Sequence, residues 1–441
     1  MVPWRRFGGY LSRRPAPDVL PHPVHAGGGR PGLPTMPHVA FVAPFFAETT
    51  LRFMAALARL EATRLSLVSQ DPPDRLPSEL RAGLAEFVRV GDALDPGILQ
   101  GAVEELGRRG PAVDLLLGTF EELQVPLGRV RDRLGLPGMG AEVAENFRDK
   151  SRMKDILRDH GLPCARHALV RSPEDARAFV EAVGLPVIAK PPAGSGSRGT
   201  FRIGSEGDLD GLLAQMPPSP DRPTLLEEFV VGDEHSFDAM SLDGRVVWHS
   251  INHYFPSALE ALREPWIQWC VLLPREADDP GYEGIRGVAG RALEALGMTT
   301  GLSHMEWFRR ADGSVAISEV AARPPGARFV NLISWAHDFD LFRAWAEAVV
   351  YGRFTPRPRP FAAGAAYLRG QGQGRVKAVR GLAEVARELG PLVVEARLPR
   401  EAQTPSGGYE GEGYVIVRHP ETGVVKDALR KIVTRVRIEL G

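Results

Sequence analysis

Residues 304–326 of this 441-residue chain read HMEWFRRADGSVAISEVAARPPG. Apolar and polar residues alternate on both sides of Asp312-Gly313, and this pattern predicts a β-hairpin with its turn at those two residues. The register of such a hairpin places Glu306 directly opposite Glu319 on one face of the strand pair. Like charges in that position destabilise a sheet. The two carboxylates therefore need either a compensating charge or an exposed position.

The face of the hairpin that carries the glutamates favours one of these explanations. Two opposed carboxylates are stable when a divalent cation lies between them, and Mg²⁺ prefers a few carboxylates completed by water and phosphate oxygens. The alternative is that both side chains lie in water on an exposed sheet. Phe308 and Ile317 share the glutamate face, so we expect that face to be partly enclosed. We therefore interpret Glu306 and Glu319 as a metal site.

The composition of the chain argues against several classes of function. The formal net charge is −1, which gives no basic surplus for nucleic acid or an acidic membrane surface. The two cysteines, Cys164 and Cys270, are far apart and have no ligand-like neighbours, so a disulfide framework or zinc site is not expected. No apolar run approaches the roughly 20 residues of a membrane helix. We expect a cytoplasmic protein without nucleic-acid or membrane partners.

Lysine is rare in this chain, because only six of the 54 lysine and arginine residues are lysines. Arginine could usually have supplied a surface charge in their place. A remaining lysine therefore hints at a need for a compact point charge on a flexible stem. The six positions are Lys150, Lys154, Lys190, Lys377, Lys426 and Lys431.

The first part of the chain divides into two segments. Residues 1–35 are rich in Pro, Gly and Arg, lack the apolar core of a signal peptide and are predicted to be disordered. From Met36 to about residue 140, apolar strand patterns alternate with helical ones. That alternation predicts a small parallel sheet with helices on both faces.

The segment 141–355 has a different pattern. It opens with an amphipathic helix that Gly161 and Pro163 should end. A second helix follows, in which Ser172 is predicted as the N-cap and Gly184 as the end. Several strands come next, with a turn at Asp243-Gly244. A linker, PRPRP, precedes residues 361–441, where we predict strands and a last helix, KDALRKIVTRVRIEL.

The glycine-rich stretch GSGSRG at 194–199 matches the pattern G-x-G-x-x-G, but its context argues against a dinucleotide-binding loop. That loop joins a strand to a helix, whereas here the β-like stretch TFRIGS follows. A protein kinase places its lysine after such a loop, whereas Lys190 precedes this one. We expect a hairpin loop whose N–H groups and hydroxyls fold over phosphates, the alternative being a mobile surface turn.

The order of these parts resembles that of the ATP-grasp superfamily, from about residue 40 to the C-terminus. The stretches NFRDKSRMKDIL, KPPAGSGSRG and ISEVAARPPG carry the resemblance. Within the superfamily, the chain is similar to carboxylate–amine ligases such as the L-amino acid ligases, and to biotin-carboxylase-like chains. The implied fold class is α/β, of the α+β ATP-grasp type. It comprises a pre-ATP-grasp domain at 36–140, an ATP-grasp domain at 141–355 with its small lobe at about 165–232, and an α+β subdomain at 361–441.

The resemblance also implies how ATP would be bound. Lys150 and Lys190 would reach its phosphates from two sides, Lys190 also lying near the adenine, and Lys190 and Arg323 would be the catalytic residues. Backbone groups near Glu228 and Val230 would read the adenine edge, and Glu234 would accept hydrogen bonds from the ribose. The full implied nucleotide set is Lys150, Lys190, Ser195, Gly196, Ser197, Gly199, Glu227, Glu228, Phe229, Val230 and Glu234.

The metal and substrate residues follow from the same resemblance. Glu306 and Glu319 would hold Mg²⁺, with Mn²⁺ as the alternative ion. Much of the family has a metal-binding asparagine where this chain has Ala321. His304 lies opposite Ala321 in the predicted register, so it would either supply the missing ligand or be a neutral, hydrogen-bonded histidine. The residues expected to face the substrates are His253, His304 and Arg328, with Asn252, Tyr254, Trp266 and Trp269 nearby.

The implied activity is ATP-dependent formation of an amide or peptide bond through an acyl phosphate, with release of ADP and phosphate. The partners would be small carboxylate and amine substrates, amino acids among them, and a homodimer is left open. Two alternatives remain at this point. One is an ATP-dependent carboxylase of the biotin-carboxylase kind, and the other is a nucleotide-binding protein weakened in catalysis by Ala321.

Overall fold

A computed structural model describes residues 34–194, 199–264, 267–406 and 408–441. Its strands are β1 (His38–Val42), β2 (Arg64–Ser69), β3 (Glu86–Arg89), β4 (Leu115–Gly118), β5 (His167–Val170), β6 (Val187–Lys190), β7 (Phe201–Ile203), β8 (Thr224–Glu228), β9 (Asp233–Leu242), β10 (Arg245–Phe255), β11 (Cys270–Leu273), β12 (Gly301–Arg309), β13 (Val315–Ala321), β14 (Ala362–Leu368), β15 (Gly370–Gln371), β16 (Val376–Arg380), β17 (Val393–Arg397), β18 (Gly413–His419) and β19 (Arg437–Leu440).

Its helices are α1 (Glu48–Ala58), α2 (Ser78–Ala82), α3 (Pro96–Arg109), α4 (Gln124–Leu134), α5 (Ala141–Arg148), α6 (Lys150–Asp159), α7 (Pro173–Val183), α8 (Glu206–Gln215), α9 (Ala258–Arg263), α10 (Glu283–Leu296), α11 (Phe329–His337), α12 (Leu341–Tyr351), α13 (Leu382–Leu389) and α14 (Thr422–Arg435). Short 3₁₀ segments cover Pro73–Arg75, Pro280–Tyr282 and Gly390–Leu392. Within the described part of the chain, no helix is long and apolar enough to cross a membrane.

The N-terminal sheet is parallel, with strand order β3-β2-β1-β4. Strand β1, HVAFV, is buried along its whole length, as expected for a strand covered by helices on both faces. The prediction of a parallel sheet in this part of the chain is confirmed. The short strand β3 was not predicted, because only one of its four residues, Val88, is buried and its pattern is weak.

The central sheet has eight strands in the order β13-β12-β9-β10-β11-β14-β18-β17, and each neighbouring pair is antiparallel. It joins strands from 233–321 to strands from 362–419. Met305, Trp307 and Val320 pack on one face of it in a cluster with α10. On the other face, Trp269 and Leu302 join a larger cluster with α11 and α12. The sheet is thus enclosed between two layers of core.

A smaller antiparallel sheet, with strand order β5-β8-β6-β7, lies in the segment 167–228. Helices α7 and α8 pack on it through a cluster that includes Val180, Val187 and Leu209. Helix α7 begins at the predicted N-cap, where the Ser172 side chain accepts a hydrogen bond from the Asp175 N–H. The glycine-rich stretch joins β6 to β7, and these strands pair with each other. The predicted hairpin is therefore confirmed.

Two helix predictions were wrong in their extent. The helix expected to run towards Gly161 is two helices, α5 and α6. Asp149 leaves the helical conformation between them and caps α6, because its side chain accepts from the N–H groups of Ser151 and Arg152.

The last helix ends at Arg435, and the following residues form β19 instead. This strand completes a small sheet with β15 and β16, and that pairing of distant segments outweighs the local helical pattern.

Candidate active site

A cleft of about 480 Å³ lies between the smaller sheet and the hairpin formed by β12 and β13. Its polar lining includes many of the residues singled out in the sequence. Its apolar lining includes Ile188, Phe308, Ile317 and Leu259. Ile188 and Leu259 were not predicted, because a single apolar residue in a strand or short helix gives no signal that distinguishes a cleft wall from a core position. Apolar walls with a few convergent polar groups are typical of a ligand site.

Lys150 enters the cleft from the first turn of α6. The side chain of Asp149 caps this turn, and the Lys150 N–H donates to the carbonyl oxygen of Pro192 at 2.9 Å. The Lys150 Nζ donates to the carbonyl oxygen of Gly194 at 2.8 Å and lies 3.0 Å from Glu319 Oε1. One buried ammonium thus connects the base of the glycine-rich stretch with the glutamate hairpin.

Lys190 shares a buried carboxylate with a second lysine. Its Nζ lies 2.9 Å from Glu227 Oε1, and the Nζ of Lys154 lies 3.5 Å from the same atom. Lys154 is fully buried and donates to the Ser318 carbonyl oxygen at 2.9 Å. The sequence singled out Lys154 only as one of six scarce lysines, and its position four residues after Lys150 predicted only a shared helix face.

The charges of this lysine group shift the pKa values of its members. Burial lowers the pKa of Lys154, and the neighbouring Lys190 adds to that effect against the attraction of Glu227. Burial also opposes the charge on Lys190, but Glu227 and Glu319 more than compensate and raise its pKa. Burial opposes ionisation of Glu227, yet the two lysines lower its pKa. Lys190 and Glu227 therefore form a fully charged pair.

Glu306 and Glu319 lie directly opposite each other in the β12–β13 ladder, and both line the cleft. The predicted pairing of these two residues is confirmed. Between Glu306 and Trp307 the ladder contains a β-bulge that leaves Ser318 without a paired residue, so the regular register predicted for the rest of the hairpin was wrong. The bulge has two anchors. Lys154 binds the Ser318 carbonyl oxygen, and the Ile317 N–H donates to Pro163 O at 2.8 Å.

The donor set of the hairpin fits a hard divalent cation. Two carboxylates on adjacent strands face one cleft, and Mg²⁺ is commonly bound by one or two carboxylates together with substrate phosphates. Among the described residues, no group of three or more His, Cys, Asp or Glu side chains is arranged to hold a metal. Burial opposes ionisation of Glu306, but His304 and the lysines keep its pKa low. Glu306 and Glu319 could therefore supply two ligands to Mg²⁺, and phosphate oxygens and water would supply the others.

The two ring nitrogens of His304 each lie close to a carboxylate. Its Nδ1 lies 2.6 Å from Asp238 Oδ1 and its Nε2 lies 3.5 Å from Glu306 Oε1. Burial disfavours the charged ring, but Asp238 more than compensates and raises the pKa of His304 to about 9. With both ring nitrogens directed at carboxylates, the protonated ring is favoured over the neutral one, and the role of His304 at a metal stays a prediction. Asp238 was not predicted. It lies opposite His304 on the neighbouring strand β9, and this pairing is not visible in the local sequence.

The segment between β8 and β9 forms one rim of the cleft. Glu228, Phe229, Val230 and Glu234 all line it. Glu228 pairs with Arg166 at 2.6 Å, which fixes the end of β8. Glu234 Oε2 accepts from the Ala258 N–H at 2.8 Å, and burial together with the nearby Glu306 raises the pKa of Glu234 to about 8. A carboxyl group in that state can donate as well as accept a hydrogen bond.

A second cavity, of about 70 Å³, adjoins the cleft and shares Tyr254, Glu306 and Glu319 with it. Arg323 lines this second cavity. Its Nε and one terminal nitrogen donate to Glu121 Oε2 at 3.0 and 2.8 Å. Glu121 follows β4 in the N-terminal sheet and was not predicted, because its partner is 202 residues away along the chain.

Glu121 also binds the arginine that holds the glycine-rich stretch. Arg148 donates to Glu121 Oε1 at 2.8 Å and to the carbonyl oxygen of Gly194 at 3.2 Å. The Gly194 oxygen is the one that Lys150 also binds. A single buried carboxylate therefore fixes two arginines, one at the second cavity and one at the base of the stretch 194–199.

Arg328 lies elsewhere. Glu48 binds its guanidinium through two hydrogen bonds of 2.7 and 2.5 Å, and Arg328 lines neither the cleft nor the second cavity. Its interpretation as a substrate ligand is corrected by that ion pair. His253 does line the cleft, where its Nε2 lies 2.5 Å from the Tyr282 hydroxyl oxygen, and burial lowers its pKa to about 3.

The remaining sequence candidates have different outcomes. Ser195, Gly196, Ser197 and Trp266 lie outside the described residues. Gly199 has a φ of 70°, in the left-handed region that favours glycine. Asn252 is buried and donates to Asp238 Oδ2 at 2.5 Å, while Trp269 is a wall of the second cavity.

Comparison with known proteins accords with this geometry. The family described as the ATP-grasp domain matches residues 155–334. A D-alanine–D-alanine ligase of Frankia casuarinae is 30% identical over 265 residues, which are 57% of this chain and 67% of that protein. The chain belongs to the ATP-grasp family. An L-arginine-specific L-amino acid ligase of Bacillus subtilis is 27% identical over 268 residues, which are 59% of this chain and 63% of the relative.

The fold of this ATP-grasp chain extends beyond the matched segment. An L-amino acid ligase from Bacillus licheniformis has the same fold, with a TM-score of 0.73 at 19% identity, over 92% of this chain and 99% of that one. In sequence, by contrast, the chain spans 63% and 56% of the length of two curated ligases that it matches, the arginine-specific enzyme and an alanine–anticapsin ligase of Bacillus subtilis.

Proposed function

We propose that this ATP-grasp chain is an ATP-dependent ligase that joins a carboxylate to an amine through an acyl phosphate. The observation that carries the proposal is that four charged residues converge on one cleft: Lys150 from α6, Lys190 from β6, and Glu306 and Glu319 from the two strands of the β12–β13 hairpin. This set provides cations for a triphosphate and carboxylates for a divalent metal. The names of the related ligases support the same chemistry.

In this proposal the lysine side of the cleft binds the nucleotide. Lys150 and Lys190 neutralise phosphate oxygens, and Lys150 exchanges its present ion pair with Glu319 for the phosphate. The adenine lies between apolar residues such as Ile188 and Ile317, next to the backbone of Glu228 and Val230. Glu234 hydrogen-bonds the ribose. The stretch 194–199 closes over the phosphates.

Glu306 and Glu319 would hold Mg²⁺ or Mn²⁺, which supplies charge neutralisation at the phosphates when bound. Arg323 faces the second cavity, where it stabilises negative charge on the transferring phosphoryl group and the acid. Glu121 holds the Arg323 guanidinium in place. The substrate carboxylate attacks the γ-phosphorus, ADP leaves, and the amine nitrogen then attacks the acyl carbon and displaces phosphate. Such catalysis consists chiefly of positioning and charge stabilisation.

A phosphate-release screen tests this function. Purified protein is mixed with ATP and Mg²⁺, and amino acids and small carboxylic acids are added singly and in pairs with amines. We expect phosphate and ADP only when an acid and an amine are both present, with an amide product detected by mass spectrometry. ADP release that requires bicarbonate and no amine would favour the carboxylase. Tight ADP binding without phosphate release for any pair would favour the nucleotide-binding protein.

A further inference from the structure

The segment that joins β10 to β11 contributes to one wall of the cleft. We call its described residues, 256–264 and 267–269, the α9 segment, because they include helix α9. Leu259 from this segment lines the cleft. At the first position of α9, the Ala258 N–H donates to Glu234 Oε2 at 2.8 Å in a buried position. The α9 segment therefore contacts the carboxyl group that we assign to the ribose of ATP.

A single buried arginine binds the other end of the α9 segment. Arg369 directly follows β14, and only 6% of its surface is exposed. One terminal nitrogen of its guanidinium donates to three backbone carbonyl oxygens of the segment, those of Ala261, of Glu264 at 3.3 Å and of Ile267 at 2.7 Å. A positive charge suits this position, because carbonyl oxygens accumulate at the C-terminal end of a helix.

The backbone of Arg369 is fixed to the same segment. Gln268 Nε2 donates to the Arg369 carbonyl oxygen at 3.0 Å, and the Arg369 N–H donates to Gln268 Oε1 at 2.8 Å. The indole N–H of Trp269 donates to the Pro256 carbonyl oxygen at 3.1 Å, which joins the two ends of the α9 segment. The segment is thus connected at its ends and bound to the C-terminal part of the chain through Arg369.

These contacts connect Arg369 with Glu234 through α9. Ala258 binds one oxygen of the Glu234 carboxyl group, so the position of α9 sets the direction of the other oxygen. A buried guanidinium without hydrogen-bond partners is costly, so its carbonyl contacts favour one position of the end of α9. Arg369 lines neither the cleft nor the second cavity, and it therefore acts on a nucleotide only through the α9 segment.

We propose that Arg369 is a positioning residue for nucleotide binding, which holds the α9 segment so that Glu234 meets the ribose hydroxyls of ATP. The inference rests on the proposed function, in which Glu234 hydrogen-bonds the ribose. Arg369 lies outside the segment 155–334 that matches the ATP-grasp domain. The C-terminal part of the chain thereby contributes to the ATP site, although none of its described residues lines the cleft.

A nucleotide analogue separates an effect on the ribose contact from a general effect on the cleft. Calorimetric titration in the presence of Mg²⁺ compares ATP with 2′,3′-dideoxy-ATP, which lacks both ribose hydroxyls. We expect the unmodified protein to bind ATP about 10-fold more tightly, because two hydrogen bonds together contribute about this much. Arg369→Met should reduce this preference to about 2-fold or less by weakening the binding of ATP, with little change for the dideoxy analogue.

Further variants test the route from Arg369 to the ribose. Ala258→Pro removes the N–H that binds Glu234, at a first helical position where proline is tolerated, and it should lose the preference for ATP in the same way. This variant decides the question even where Arg369→Met fails to fold. Arg369→Lys keeps a cation that reaches fewer of the carbonyl oxygens, so it should retain part of the preference.

Arg375→Met is the matched control. Arg375 also donates to a backbone carbonyl oxygen in the C-terminal part of the chain, that of Ala402 at 2.9 Å, but it is exposed and does not line the cleft. Arg375→Met should therefore keep the full preference for ATP.

The outcomes distinguish this inference from the function on which it rests. Unchanged ATP binding in Arg369→Met and Ala258→Pro, or equal weakening of both nucleotides, would overturn the role of Arg369 and leave the proposed function untouched. Equal binding of the two nucleotides by the unmodified protein would overturn it together with the role of Glu234 at the ribose. If the unmodified protein binds neither nucleotide, the proposed function is overturned as well.

Discussion

The two sides of the cleft balance their charges in different ways. On the lysine side, two cations, Lys154 and Lys190, share the single buried carboxylate of Glu227, which leaves positive charge in excess. On the carboxylate side, Glu306 and Glu319 face each other, and their cationic partners, His304 and Lys150, come from other positions. The excess positive charge on the lysine side suits phosphate groups, and in the proposed function the paired carboxylates on the other side would bind the metal ion.

The largest effect should come from the carboxylate side. Glu319→Gln removes a proposed metal ligand and the partner of Lys150, and we expect kcat to fall by at least about 100-fold because charge stabilisation at a phosphoryl-transfer site contributes this much. Phosphate release measures the effect, and an unchanged thermal transition shows that the fold is intact. Glu283→Gln, at an exposed residue that begins α10, is the control. Near-normal turnover in Glu319→Gln would refute the metal assignment.

The lysine side should couple stability with nucleotide binding. Lys190→Met breaks a buried ion pair with Glu227, so we expect a loss of about 3–5 kcal/mol in the free energy of unfolding, together with weaker ATP binding. Adding Glu227→Gln to Lys190→Met should regain neither the stability nor the ATP affinity, because the buried Lys154 then loses the carboxylate that it shares with Lys190. Denaturant unfolding and calorimetric titration with ATP measure the two quantities. Additive stability effects of the two substitutions would show that this pair is not coupled.

A smaller effect is expected at the residue that links the N-terminal sheet to the carboxylate side. Glu121→Gln keeps the shape of the side chain but removes the charge that holds Arg148 and Arg323. We expect kcat to fall on the order of 10-fold because Arg323 loses its anchor. The KM for ATP should rise less, because Lys150 still binds the Gly194 carbonyl oxygen when Arg148 loses its contact with Glu121. Steady-state kinetics separate the two constants.

The neighbouring residue provides the control for this experiment. Glu122 is exposed, and Glu122→Gln should leave both constants unchanged. An equal effect of the two substitutions would mean that the effect of Glu121→Gln is not specific to the two arginines.

The smallest effect concerns a buried histidine away from the cleft. Burial and then Arg359 lower the pKa of His337 to about 3. Below about pH 6.5 the unfolded chain binds a proton that the folded chain does not, so folding stability decreases as the pH falls from 6.5 towards 3. His337→Gln should reduce this decrease by about 1 kcal/mol per pH unit.

His337 Nδ1 faces the carbonyl oxygens of Arg357 and Pro358, and its Nε2 accepts from Arg359 Nε. Glutamine also has one donor group and one acceptor group for these contacts. Urea unfolding at pH 7, 6 and 5 compares the variant with the unmodified protein. An identical pH dependence in both proteins would assign the acid sensitivity to other groups, such as those of the cleft.

Much of the architecture was predictable from local patterns. The strand–helix alternation after Met36 gave the parallel sheet, and the β-like residues after Gly199 gave the β6–β7 hairpin. The helix ends around Asp149 and Arg435 were missed, because a cap and a distant strand partner outweighed the helical periodicity. The bulge at Ser318 was missed for a similar reason, since it depends on Lys154 and on Ile317 pairing with the chain near Cys164.

The two arginines that follow the β12–β13 hairpin could not be told apart from the sequence. Arg323 and Arg328 are five residues apart in one segment, and both were candidates for the site. Glu121 holds Arg323 at the second cavity, whereas Glu48 holds Arg328 away from it. Both carboxylates come from the N-terminal part of the chain, and nothing in the local sequence distinguishes the two arginines.

The sequence by itself determined that Glu306 and Glu319 face each other, because strand alternation and turn chemistry act over a few neighbouring residues. Only the tertiary structure decided which cations those carboxylates meet, that His304 lies between Asp238 and Glu306, and that Tyr409 lines the second cavity. Those outcomes depend on burial and on electrostatic contacts between segments that are far apart in the chain, and such contacts leave no periodic signal in the sequence.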